Sequence, residues 1–272
     1  MLPTQKIIAS WNSLWIIRGG LSRKTYLLLA FAGFVLPIAA WWLLSVSGLV
    51  EKVFMPGPLD VLARTLTWFN EESLMGDIWI STYRVFAGFA LSAILAIPLG
   101  VMIGTYPPMK AMFEPLMDFI RYMPAVAFIP LVMLWVGIEE SSKIAIIFIG
   151  TFFQMVLMVA EDIRRVPINQ IEAAHTMGAN CGEIVSLVII QSAKPALLDT
   201  LRVTMGWAWT YLVVAELVAA NSGLGYSILR AQRFMQTDKI FAGIILIGLI
   251  GLAIDQLFRL LHRKSFPWLY LK

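Results

Sequence analysis

Six stretches of this 272-residue chain are apolar over about the twenty residues an α-helix needs to cross a bilayer. They run from about Tyr26 to Gly48, Ile78 to Gly104, Leu116 to Val136, Ile144 to Ala160, Ala196 to Ala220 and Ile240 to Leu261. Backbone buried in lipid must satisfy its own hydrogen bonds, so stretches this long read as helices. Pro124 and Pro130 interrupt the third and free backbone groups that need partners in protein or water. Only 14% of the residues are charged, against roughly 25% in a soluble domain. With 59% apolar residues, a water-soluble globule of this size could not cover its own side chains. Disorder is excluded by the same balance. Cys181 is the only cysteine and has no partner in the chain for a disulfide. The chain reads as one all-α membrane domain with about six transmembrane helices.

Orientation follows from Lys and Arg, which are retained on the cytoplasmic side. With the N-terminus inside, twelve are cytoplasmic: Lys6, Arg18, Arg23, Lys24, Lys110, Arg164, Arg165, Lys194, Arg259, Arg263, Lys264 and Lys272. Six are outside: Lys52, Arg64, Lys143, Arg230, Arg233 and Lys239. Both termini are therefore expected inside. The net charge of +4 reads as topology, because the basic residues form no stripe with interleaved aromatics. Nucleic acid is set aside.

The organisation expected is a cytoplasmic segment over 1–25, a transmembrane domain over 26–262 with a loop at 161–195, and a cytoplasmic tail over 263–272. No small-residue cleavage site follows a short apolar core near the start, so the opening segment does not read as a removable signal peptide. Ser10–Ile17, with alternating Trp and Ile, is expected to lie along the inner surface as an interfacial helix. Met55-Pro56-Gly57-Pro58 reads as a rigid turn, and Leu59–Phe69 as a short amphipathic helix on the outer face. Gly100 and Gly104 have the spacing that lets two helices approach closely.

The loop between the fourth and fifth stretches carries the most information. Pro167 can open a helix whose apolar stripe is Ile168, Ile171, Ala174 and Met177. Gly178 closes it as a left-handed cap. Asn180-Cys181-Gly182-Glu183 has capping-box spacing and starts a second short helix, with Ile184, Leu187 and Val188 as its buried face. Two short helices meeting at a glycine make a knob fit to enter a cleft.

Glu172-Ala173-Ala174, three residues and then Gly178 resemble the EAA signature of ATP-binding-cassette (ABC) importer permeases. That family continues with Ile-x-Leu-Pro nine residues after the glycine. Here Val188-Ile189-Ile190-Gln191 stands in that place, and a proline follows only at Pro195. Phe119-Ile120-Arg121-Tyr122-Met123-Pro124, Gly206-Trp207-Ala208-Trp209-Thr210, Val214-Ala215-Glu216 and Ser222-Gly223-Leu224-Gly225 are similar to the nitrate, sulfonate, taurine and bicarbonate group. Trp209 to Leu217 looks most like the cyanobacterial-type nitrate and bicarbonate branch. The resemblance covers roughly Met55 to Pro267. It implies a type I ABC importer-like permease fold in the bacterial plasma (inner) membrane, with cytoplasmic coupling helices. Glu172, Ala173, Ala174 and Gly178 would then couple to an ATPase. The partners implied are a second copy of this chain, two ATP-binding-cassette subunits carrying ATP and Mg, an external substrate-binding protein or lipoprotein, and membrane lipids.

Charged and hydrogen-bonding groups at membrane depth face a bundle interior or a wet cavity. Arg121, Tyr122, Pro124, Gln154, Arg202, Trp209, Thr210 and Glu216 are the candidates for a substrate pathway. Arg84 reads as a snorkelling side chain. A small anion needs donors and positive potential, which such groups supply. Nitrate or nitrite is the first expectation, with bicarbonate, taurine or an alkyl sulfonate as alternatives. The chain contains no Gly-x-x-x-x-Gly-Lys-[Ser/Thr] loop to cradle ATP, and neither His175 nor His262 has ligands at metal spacing. No catalytic, cofactor or metal site is expected on the chain itself. An ATP-independent carrier or channel, and an intramembrane enzyme, are the readings that compete.

Overall fold

A computed structural model describes residues 19–270 and, for Val218 and Ala219, the backbone alone. The interfacial helix expected over Ser10–Ile17 lies outside the described residues. Every regular element described is helical. The first four helices are α1 (Arg23–Val46), α2 (Pro58–Glu71), α3 (Leu74–Thr105) and α4 (Pro107–Arg121). A single 3₁₀ turn, Ala125–Phe128, leads into α5 (Ile129–Val136), and α6 covers Glu140–Arg164. Then come α7 (Ile168–Thr176), α8 (Cys181–Glu183), a π-helical segment (Ile184–Ile189), α9 (Ile190–Ala219), α10 (Leu224–Arg233) and α11 (Thr237–Ser265).

Among the described residues, five helices are long and apolar enough to cross a membrane: α1, α3, α6, the continuous Cys181–Leu217 and α11. The third expected span is different. It is a bent pair, Pro107–Arg121 and Ala125–Val136, at 88° to each other. Pro124 makes the break, standing in extended conformation before the 3₁₀ turn. Pro130 does not break a helix, because it sits in the first turn of α5, where its missing N–H costs no hydrogen bond.

The chain divides into two units at Val61/Leu62, within α2. In the first, α1 exposes nearly all its apolar side chains, as suits a rod solvated by lipid. Its later turns hold the Pro-Gly-Pro turn. The Trp41 indole N–H donates to the Pro56 carbonyl (3.0 Å), and the Ser45 hydroxyl donates to that of Met55 (3.2 Å).

The second unit is organised around α3 and α6. A Cβ placed on Gly100 would lie 2.6 Å from the Val159 side chain, and one on Gly104 would lie 2.7 Å from the Ala160 carbonyl. Gly88 faces Ile147 in the same way, at 2.8 Å. Glycines spaced along one face thus bring the two backbones close enough for direct packing. Ala96, Ile103, Val156 and Val159 fill the seam, and Met205, Ala208 and Leu212 of α9 close over it. Within the seam the Ser92 and Thr151 hydroxyls share a 2.7 Å hydrogen bond, and Thr151 also donates to the Ile147 carbonyl.

The expected close approach at Gly100 yields a test. Gly100→Val should lower the thermal midpoint of the detergent-purified protein, with overpacking costing about 1–3 kcal/mol. Gly248→Ala in α11, where nothing lies within 4 Å, should leave the midpoint unchanged or slightly higher.

Candidate functional site

A cavity of about 230 Å³ lies between the α4–α5 break, α6 and α9. The break contributes Ile120, Arg121, Met123, Ala125 and Phe128. From α6 come Ile149, Gly150, Phe153 and Gln154, and from α9 Trp207, Thr210 and Tyr211. Three residues named from the sequence for a pathway, Arg121, Gln154 and Thr210, are therefore neighbours here. Arg121 is positioned by Asp118, whose carboxylate accepts from its Nε (2.9 Å), and by Tyr122, whose hydroxyl accepts from a terminal nitrogen (3.0 Å). The guanidinium also lies 4.6 Å from the Tyr122 ring centre. Gln154 makes no side-chain hydrogen bond among the described residues, so its amide keeps both donors and its acceptor for a guest. Gly150 is small for a reason: a Cβ there would lie 2.7 Å from an edge carbon of the Tyr211 ring.

The other named residues lie elsewhere. Tyr122 and Pro124 belong to the break but are not on the cavity wall. Trp209, named for the pathway, is a core residue with 4% exposure, while Trp207 two positions earlier faces the cavity. The indole N–H of Trp209 has no partner among the described residues. Arg202 is held between helices, pairing with Asp199 of its own helix (3.1 Å) and with Asp255 of α11 (3.3 Å). Arg259 binds Asp255 as well, at 2.8 Å. These ion pairs tie α9 to α11 at the end of the bundle nearest the knob.

Glu216 and Arg84 form a buried polar cluster at the opposite end. Both side chains have 0% exposure, and Nη1 of Arg84 donates to Oε1 of Glu216 at 2.6 Å. Two further nitrogens of Arg84 donate to the Glu140 carboxylate (2.6 and 2.8 Å), and Nη1 reaches the Ser222 carbonyl (2.7 Å). Glu216 is satisfied on both oxygens, accepting from the Ser81 hydroxyl (2.7 Å) and the Gly225 N–H (2.7 Å). Asp77 accepts from the Gly223 N–H and the Ser227 hydroxyl. Gly223 takes φ +112°, a conformation open chiefly to glycine. One guanidinium thereby joins α3, α6, α9 and the turn into α10. The expected snorkelling of Arg84 is corrected: its partners Glu140 and Glu216 lie 56 and 132 residues away, too far apart in sequence for any local pattern to pair them.

The knob follows its expected capping and departs from its expected packing. Gly178 takes φ +87° after α7, and both capping-box bonds form: Glu183 N–H to the Asn180 side chain (3.0 Å) and Asn180 N–H to that of Glu183 (2.8 Å). The second helix is not a separate short piece. It runs through the π segment into α9. The wider turn changes which residues face inward: Ile184 and Ile189, five apart, are buried, and Leu187 is 66% exposed. No residue of α7 is buried. Glu172 and Ala173 are exposed, Ala174 is half-buried, and Ile168 and Met177 present apolar surface at 66% and 85% exposure.

Residues 96–266 match the family described as binding-protein-dependent transport system inner membrane component. The chain is 38% identical over 247 residues to a probable ABC transporter permease protein of Brucella melitensis, covering 91% of this chain and 99% of that one. It is 35% identical to the putative aliphatic sulfonates transport permease protein SsuC of Bacillus subtilis, over 87% of each chain. Against the taurine transport system permease protein TauC of Escherichia coli it is 31% identical, over 92% of each. A solved chain of the MetNI methionine ABC transporter, in an inward-facing conformation, superimposes with a TM-score of 0.58 at 22% identity, covering 73% of this chain and 95% of that one. The fold is that of a type I ABC importer permease.

Removing one member of the Arg84–Glu216 pair should strand a buried charge. Arg84→Met is expected to cost about 3–5 kcal/mol, read as a large fall in thermal midpoint or in folded yield. Arg84→Met with Glu216→Leu should cost less than the two single changes summed, because the cycle removes both charges together.

Proposed function

Because the chain belongs to the binding-protein-dependent transport system inner membrane component family, we propose that it is the transmembrane subunit of an ATP-driven importer of a small oxyanion. Two copies form the pathway, and each is driven by a separate ATP-binding-cassette subunit that holds ATP and Mg. An external binding protein delivers the anion. The α7–α8 knob and both termini lie in the cytoplasm, the side favoured by the division of Lys and Arg. The chain itself is not catalytic.

The observation that carries this reading is the exposed apolar rim of the knob. Ile168 and Met177 flank the exposed Glu172, on a short helix that buries none of its residues within this chain. Large apolar side chains held out by well-formed caps suit a surface covered by another subunit. The knob's differential contacts with the closed and open ATPase pair supply the coupling free energy. Closing that pair draws the two knobs together and turns the cavity outward, and hydrolysis reverses this.

The 230 Å³ cavity has room for a compact anion. Arg121 supplies positive potential at its wall and Gln154 supplies hydrogen-bond donors, while the Thr210 hydroxyl donates to the Gly206 carbonyl at 3.5 Å, a long bond it can exchange for a guest. The names of the sulfonate and taurine relatives favour a sulfonate as substrate over the nitrate first read from Trp209–Leu217. Nitrate and bicarbonate ask for the same donors and remain the alternatives.

Two outcomes test the reading in the complex reconstituted in liposomes. Met177→Glu and Glu172→Arg should each reduce uptake and substrate-stimulated ATP hydrolysis about tenfold or more with the thermal midpoint unchanged, a loss of about 1.4 kcal/mol or more in coupling. Full uptake by both variants, or uptake by this chain alone without ATP, would sink the proposal. Binding protein loaded with taurine or an alkyl sulfonate should stimulate hydrolysis. Stimulation by nitrate-loaded protein alone would return the substrate to nitrate.

A further inference from the structure

A second cavity, of about 290 Å³, opens where α2, α10 and the first turn of α11 meet, at the end of the bundle that carries Arg84. Three cations line it, Arg64, Arg230 and Lys239, with one acid, Glu72. Arg64 and Lys239 both bind the Glu72 carboxylate, the first at 2.6 Å. Hydrogen bonding from Lys239, ahead of that from Arg64, holds Glu72 below the usual carboxylate range, so it stays ionised at neutral pH. The lining therefore keeps two positive charges in excess.

Two of these cations, Arg64 and Lys239, are fixed in place. The Lys239 side chain is 8% exposed and lies 4.6 Å from the ring centre of the fully buried Trp68. Gln236 accepts from Arg64 through its side-chain oxygen, which leaves the amide nitrogen as a donor. Arg230 is exposed on the wall and makes no side-chain hydrogen bond or ion pair among the described residues. Held charges beside a free guanidinium suit an oxyanion, which Arg binds through paired N–H donors.

The surroundings are those of a membrane border. Lys239 stands in the first turn of a helix long and apolar enough to cross a bilayer, and that helix exposes Ile244, Ile245, Leu249 and Leu252 beyond it. Phe234 of the lining, and Met235 next to it in the chain, present large apolar side chains at 66% and 56% exposure. Met235 does so at φ +55°, where glycine is the ordinary residue. A soluble anion has no use for this apolar rim, whereas a headgroup with acyl chains attached would lie along it.

We propose that this cavity binds the phosphate oxyanion of an anionic phospholipid, with Arg230 as its open ligand and Lys239 and Arg64 as its fixed positive wall. The site is distinct from the 230 Å³ cavity and does not depend on which anion is transported.

The test is lipid retention by the full-length protein, read by native mass spectrometry after transfer from mixed phosphatidylglycerol and phosphatidylcholine micelles. The wild type should retain phosphatidylglycerol in preference, and Arg230→Gln should weaken that retention about tenfold. Arg233→Gln, on the same helix but outside the cavity lining, should retain lipid as the wild type does. Because Arg230 has no partner to lose, the thermal midpoint of Arg230→Gln in lipid-free detergent should match the wild type. Partial competition by millimolar inorganic phosphate would support oxyanion recognition, whereas phosphate binding with no preference for phosphatidylglycerol over phosphatidylcholine would assign the occupant to solution and overturn the lipid. Equal retention of both lipids, or unaltered retention by Arg230→Gln, overturns the proposal. So does a loss of binding-protein-dependent uptake in Arg230→Gln with lipid retention intact, which would make the patch a protein-docking surface.

Discussion

A fully buried guanidinium is the constraint from which one end of this molecule follows. Arg84 cannot reach water from its place in the bundle, so its donors have to be met by protein. Glu216, Glu140 and the Ser222 carbonyl meet them, and each sits on a different element. Their demands propagate. The turn at Ser222 must bring its carbonyl inward, which Gly223 allows by taking φ +112°. The Gly225 N–H then completes the coordination of Glu216, and the amphipathic α10 is laid down from that point. Hydrogen bonding, more than apolar packing, fixes where these four elements meet.

The cluster and the glycine seam between α3 and α6 together determine which parts of the bundle can yield. Close backbone contact at Gly88, Gly100 and Gly104 leaves no side-chain layer to slide, and the polar cluster ties α9 and α10 to that pair. The α4–α5 segment is held differently. Its two helices meet at 88° across a break at Pro124. It supplies one wall of the 230 Å³ cavity, while the packed helices α6 and α9 supply the others. The cavity thus has one wall interrupted by a break and two formed by closely packed helices.

The fold was legible in the sequence wherever one local rule governed. Apolar length gave four of the spans within a few residues of their observed ends, whereas the fifth, expected from Ala196, belongs to a helix that already begins at Cys181; the caps at Gly178 and Asn180–Glu183 formed as their spacing required. The sequence was less informative where distant residues decide. Arg84 reads as a snorkelling side chain because nothing near it in the chain signals Glu140 or Glu216. Trp207 and Trp209 are equivalent by composition, and only the rotation of α9 against α6 puts the first on a cavity and the second in the core. Pro124 marked the interruption of the third apolar stretch, but the right angle at that break was not legible, since hydropathy measures length and not direction. The Ser222-Gly223-Leu224-Gly225 motif was visible, but its purpose, closing on a buried carboxylate, emerges only in three dimensions.

The π segment at Ile184–Ile189 has a mechanical consequence. It replaces a hinge with a splice: the capped start of α8 and the cavity-lining turns of α9 belong to one uninterrupted helix, Cys181–Leu217. From Glu183 to Trp207 that rod spans roughly 35 Å at the usual rise per residue. Along it the regular ladder is interrupted at six residues wound more loosely than their neighbours and again at Pro195, which has no N–H to donate. Any twist passed from the capped start of α8 to the turns beside Gly150 would have to cross both the π segment and Pro195.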